Sequence, residues 1–209
     1  MTAALLTGLG LGLFVAAQVG PIWLLCARSS LRYGAPSGLA IGAGAAIVDL
    51  AYAALGVAGA ASLVQIDALR LTLGLVGAGF LLYLGTRTLW HAARVRLGAE
   101  GEGEVLSPRE AFRTSLAATA SNPTTIASWA AIFGAASVGH VADTAGTALV
   151  MLAAIGVGSF AWFAVLSTAA GRLGRRLSDR HLRVVDALSG TGIGAFGGLL
   201  AWRTLRGVS

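Results

Sequence analysis

Lysine is absent: all 15 basic side chains of the 209-residue chain are arginines. Acids are scarce as well, at 9 Asp and Glu, and charged residues amount to 11% where an ordinary soluble domain has about 25%. So few polar side chains cannot coat a water-soluble globule of this size, which excludes a soluble fold. The lone cysteine, Cys26, excludes an intrachain disulfide, a Cys-x-x-Cys redox pair and a thiolate metal cluster. The three histidines, His91, His140 and His181, stand at span ends or in connections, too scattered for a metal site, so neither metal nor cofactor is expected. The arginines cluster between apolar runs instead of forming a solvated basic face, which argues against nucleic acid and for anionic membrane lipid.

What is present is apolar. The AVILMFWYC residues make up 56%, and 30 glycines come on top of that. At about 20 residues per crossing, the chain holds about six or seven transmembrane helices with short connections, leaving no room for a soluble catalytic domain, so an enzyme is not expected. The N-terminus has no basic leader and its apolar run continues past Ala17, which makes it a first span in preference to a cleaved signal. The apolar runs and their punctuation predict helices over 3–27, 37–65, 68–90, 109–137, 145–171 and 182–205.

Arg28, Arg32 and the turn Tyr33-Gly34-Ala35-Pro36 form the first predicted connection, and Gln65-Ile66-Asp67 a tight second one. A polar linker over 91–110 separates two halves, 1–90 and 111–209, of one transmembrane domain. Its end, Ser107-Pro108-Arg109-Glu110, is a capping box with proline at the first helical position, which starts helix four. Twelve arginines fall on the side of the first, third and fifth connections and three on the other, so the positive-inside rule places both termini outside the cytoplasm.

The two halves echo one another. Arg87-Thr88-Leu89 recurs as Arg203-Thr204-Leu205, and the same offset pairs Gly74 with Gly190 and Phe80 with Phe196. Gly20-Pro21 interrupts helix one and Asn122-Pro123 interrupts helix four. Halves of three helices each must insert in opposite senses, so the predicted fold is an all-α membrane protein of two inverted three-helix repeats, an architecture typical of transporters.

Asp49 is the sharpest single feature. It sits about twelve residues into an apolar span, near the bilayer midplane, where an ionised carboxylate costs about 2.5–3.5 kcal/mol or more. Such a group binds a cationic substrate or carries a coupling proton; the alternative is an aspartate that only ties helices together. Pro21 and Pro123 each remove a helix hydrogen bond and free a carbonyl that must find another partner in the membrane. Gln18, Ser121 and Asn122 gather polar side chains at the two breaks, which makes Pro21, Gln18, Asn122 and Pro123 binding candidates beside Asp49. In helix five, the repeat sets Ser159 and Trp162 roughly opposite Asp49, one as a hydroxyl donor and the other as a wall or gate; the alternative is that both only pack.

Other motifs read as architecture. Gly192-Ile193-Gly194-Ala195-Phe196-Gly197 fits the dinucleotide fingerprint in letters only, since it lies inside an apolar span with no preceding strand. Gly38, Gly42 and Ala46, and Gly190, Gly194 and Gly198, are small-residue seams for close helix packing. Trp90 and Trp202 stand at helix ends as interfacial anchors.

Taken in order, Val19-Gly20-Pro21-Ile22, Cys26-Ala27-Arg28-Ser29-Ser30-Leu31-Arg32-Tyr33-Gly34, Gly38-Leu39, Asp49, Ser121-Asn122-Pro123-Thr124-Thr125-Ile126, Ala130-Ala131-Ile132-Phe133 and Gly158-Ser159 with Trp162 resemble the LysE/RhtB family of amino-acid exporters along nearly the whole chain. Ile22 and Val48 depart from the family's commoner residues. The resemblance implies a six-helix carrier of the inner membrane that expels amino acids or similar small zwitterionic metabolites, driven by an ion or proton gradient. It carries the family's polar signature onto Pro21, Asp49, Asn122 and Pro123. A passive pore, or a carrier of another small solute with the same fold, is the alternative function, and the sequence is compatible with a homo-oligomer.

Overall fold

The computed structural model describes residues 1–58, 107–134 and 144–206, with 75, 79, 82, 83 and 86 as single helical positions. The described residues are helical almost throughout. The elements are α1 (Thr2–Ala16), α2 (Pro21–Tyr33), α3 (Ala35–Val57), α4 (Pro108–Ala120), α5 (Pro123–Gly134), α6 (Ala145–Gly174) and α7 (Asp179–Arg206). Two of them, α3 and α6, are long and apolar enough to cross a membrane, and the bent pair α1–α2 makes a third candidate. The 23 residues of α3 reach about 35 Å, enough for a hydrocarbon core of about 30 Å.

The interior is mainly apolar, but the exterior is apolar too and several polar side chains are buried. Large apolar side chains look outward, among them Phe14, Leu149, Val157, Val165 and Leu188, whereas Arg28, Asp49, Ser115, Ser159, Asp186 and Ser167 are buried. A lipid surround stabilises the first set, and the second must find partners inside the protein.

Helix α6 is the central pillar, lying along α1 and α3 and touching α2; α3 also packs on α4, and α2 on α7. Small residues allow these approaches. A Cβ at Gly158 would lie 2.5 Å from the Leu9 carbonyl oxygen, and one at Gly12 would lie 2.9 Å from Ser159 N, so α1 and α6 meet backbone to backbone. The Gly38–Gly42 seam of α3 is real: Gly38 packs against Ser30 and Ser167, and Gly42 against Phe163. The Gly194 and Gly198 positions of the second seam have no described neighbour within 4 Å.

Both predicted interruptions are breaks between helices. At the first, α1 and α2 bend by 78° across Ala17-Gln18-Val19-Gly20, with Pro21 opening α2. At the second, α4 ends at Ala120 and α5 begins at Pro123. Helix α4 starts at Pro108 with the full capping box between Ser107 and Glu110.

Other boundaries move. The segment around Arg28 and Arg32 is helix, since α2 runs to Tyr33, and the turn into α3 is Gly34 alone, whose φ of 87° suits glycine because it has no Cβ to clash. Helix α3 ends at Val57, eight residues before the predicted end. The second connection, the linker over 91–106 and the repeat matches at Gly74, Phe80 and Arg87 lie outside the described residues.

Candidate functional site

The Asp49 carboxylate is 3% exposed and receives a hydrogen bond on each oxygen. Trp129 Nε1 on α5 donates to Oδ1 at 2.9 Å, and Ser159 Oγ on α6 donates to Oδ2 at 2.7 Å. Three helices therefore converge on one acid. Ser159 reaches Asp49 because the close α1–α6 contact holds that stretch of α6 in the interior. Trp129 reaches it from α5, the helix that starts at Pro123 beyond the second break.

Beside Asp49 lies a cavity of about 80 Å³, walled by both breaks. The first break supplies Val15, Gln18 and Gly20, the second Thr119, Asn122 and Thr125, with Phe163 from α6. Asp49 is the one ionisable side chain among the described residues that line it.

The freed backbone groups can be followed individually. In the first break the helical ladder closes with Ala17 N to Leu13 O and Gln18 N to Val15 O, then resumes with Leu24 N to Gly20 O. In the second, Pro123 cannot donate to Thr119 O, which accepts from Asn122 N at 3.1 Å instead. Thr124 N turns to Asn122 Oδ1 at 3.2 Å. The Ala120 carbonyl, which Thr124 N would otherwise engage, accepts from Tyr52 Oη at 2.5 Å. Gln18 Oε1 accepts from Ser128 Oγ at 3.1 Å, which ties the first break to α5.

Asp49, Gln18 and Asn122 thus line one cavity, and Ser159 supports the acid directly. Pro21 is buried behind its lining neighbours Gly20 and Ile22, while Pro123 acts through the backbone as the first residue of α5. The Asn122 side chain is committed locally: Oδ1 also accepts from Thr124 Oγ1 at 2.6 Å, and Nδ2 donates to Thr125 Oγ1 at 3.1 Å, an Asn cap on α5. Trp162 is not among the residues lining this cavity; it is partly buried and packs against the cluster that includes Ile41, Cys26 and Phe163.

Sequence reasoning missed Trp129, Tyr52 and Thr119. It also missed a buried ion triad away from the cavity, where Arg28 Nε and Arg32 Nη1 donate to the two Asp186 oxygens at 2.7 and 2.5 Å and join α2 to α7. The available signal for the triad was the i, i+4 spacing of the arginines, which shares one helix face once α2 is extended to Tyr33. Among the described residues no group of three or more His, Cys, Asp or Glu could hold a metal.

Comparison with known proteins gives one family. The model of the LysE type translocator matches residues 13–204. A chemotactic transduction protein of Pseudomonas aeruginosa, ChpE, is 32% identical over 164 residues, covering 78% of this chain and 79% of that protein. No solved structure matches.

Proposed function

The chain belongs to the LysE type translocators, which are membrane transporters, and we propose from that premise that it exports amino acids or similar small zwitterionic metabolites across the inner membrane. The observation that carries this reading is the placement of Asp49: a buried carboxylate in a cavity walled by two helix breaks. A carboxylate held by two donors keeps lone pairs for a cation, so the cargo's ammonium group binds there, and the same acid can carry a coupling proton. The breaks of α1 and α4 bring polar side chains, Gln18 and Asn122 among them, to the same cavity.

In this reading the two halves are inverted three-helix repeats that rock about the cavity to alternate access, driven by an ion or proton gradient. The arginine-rich side faces the cytoplasm and both termini lie outside it. The size of the cavity favours a small cargo.

The test is transport by membrane vesicles loaded with a panel of labelled amino acids, with and without an uncoupler. Carrier-mediated export predicts saturable efflux of at least one amino acid that slows when the gradient is collapsed. Flux that neither saturates nor responds to the uncoupler would instead describe a passive pore.

A further inference from the structure

Thr119 carries a hydroxyl that the fold leaves unused. The residue lies on the last turn of α4, is 3% exposed, and its Oγ1 is buried without a hydrogen-bond partner. A threonine or serine in an apolar helix ordinarily donates to the carbonyl one turn back. Thr168 does so to Ala164 O at 2.7 Å, and Ser121 to Ala117 O at 2.7 Å. Thr119 does not, and it lines the same cavity as Asp49. The other two threonines of that wall are engaged, Thr124 with Asn122 Oδ1 and Thr125 with Asn122 Nδ2.

The α4 turn bearing this hydroxyl is also tied to α3, the helix that carries Asp49. Tyr52, nearly one turn beyond Asp49 on α3, bonds to the carbonyl of Ala120, the residue after Thr119. Ser115, one turn before Thr119, donates to Ile41 O at 2.6 Å, so the α4 turn bearing Thr119 is fastened to α3 on both sides.

We propose that Thr119 is a substrate-binding residue: its hydroxyl donates to the carboxylate of a zwitterionic cargo whose ammonium group Asp49 holds. This rests on Asp49 being the cargo site. An ionised Asp49 can only accept hydrogen bonds, so it attracts the ammonium end and repels the carboxylate end. The second end needs a donor, and Thr119 has one uncommitted in the same wall. The pair would select amino acids over simple amines, because an amine leaves the buried hydroxyl unmatched.

The experiment measures binding of alanine and of ethylamine, its counterpart without the carboxylate, to purified full-length protein by titration calorimetry. The proteins compared are wild type, Thr119→Val, Thr119→Ser and Asp49→Asn. Wild type is expected to prefer alanine. Thr119→Val, which keeps the shape and removes the hydroxyl, should weaken alanine by about tenfold or more while leaving ethylamine nearly unchanged. Thr119→Ser should restore the preference, and Asp49→Asn should weaken both ligands.

Equal loss for alanine and ethylamine in Thr119→Val, or no loss, would overturn the assignment of Thr119. If Thr119→Val fails to fold, the Ser variant and a Thr119→Ala variant decide by the same ratio. Loss of both ligands in Asp49→Asn beside unchanged binding in Thr119→Val would leave Asp49 standing alone. Wild type that favours ethylamine or binds neither ligand, or an Asp49→Asn variant that binds both normally, would remove the cargo site itself.

Discussion

Replacing Asp186 by asparagine would strand two arginines. Their guanidinium groups lie 2.7 and 2.5 Å from its two oxygens, and the side chains are 9% exposed at Arg28, 21% at Arg32 and 5% at Asp186. The triad ties α2 to α7, elements far apart in sequence. Removing one partner of a buried pair costs about 3–5 kcal/mol, mostly because the remaining charge stays buried without compensation. For a chain of this size that amounts to a drop of roughly 10 °C in apparent melting temperature. The assay is thermal unfolding of detergent-solubilised protein followed by size-exclusion chromatography. Arg28→Gln combined with Asp186→Asn should lose less than the two single losses added together, since the double variant buries neither member of that pair. An Asp186→Asn protein as stable as wild type would refute the argument, because it would mean that both arginines reach solvent or lipid headgroups without the carboxylate.

Trp129→Phe keeps a ring in the α5 position but withdraws one of the two donors from Asp49; transport by loaded vesicles should fall by about tenfold with the protein still folded, and full activity would show that the indole only packs. Gly158→Leu drives a side chain into the Leu9 backbone where α1 crosses α6; it should abolish recovery of monodisperse protein, whereas normal yield would mean that the helices can separate there.

Some of the site is legible in the sequence because its signals are local. Proline cannot donate and asparagine caps, so Gly20-Pro21 and Asn122-Pro123 announce helix breaks wherever they occur in an apolar run. Asp49 stood out because a charge in such a run must have a partner. The partner itself was harder to see. Trp129 lies eighty residues away and reads as one more apolar residue, and only the tertiary packing brings its indole to Asp49 as a donor. Ser159, expected opposite Asp49 from the internal echo, donates to Asp49 Oδ2.

The end of the apolar run and the turn signature at Tyr33-Gly34-Ala35-Pro36 put Arg28 and Arg32 in a connection, where arginine counting treats them as solvated or facing lipid headgroups. Their pairing with Asp186 is a tertiary fact that composition cannot carry. Thr119 gave no sequence signal at all, because its distinction is the partner it lacks. For Trp162 the position opposite Asp49 was suggestive, but the side chain turns into the cluster around Ile41 and Phe163.

The most direct measurement is gradient-driven efflux by Asp49→Asn, compared with wild type at equal membrane abundance. Asparagine keeps the size of the side chain and can still meet Trp129 and Ser159, but it can neither bear a charge nor release a proton. Insertion at wild-type level with efflux reduced to background is the predicted result. Wild-type efflux from the same variant would contradict the account.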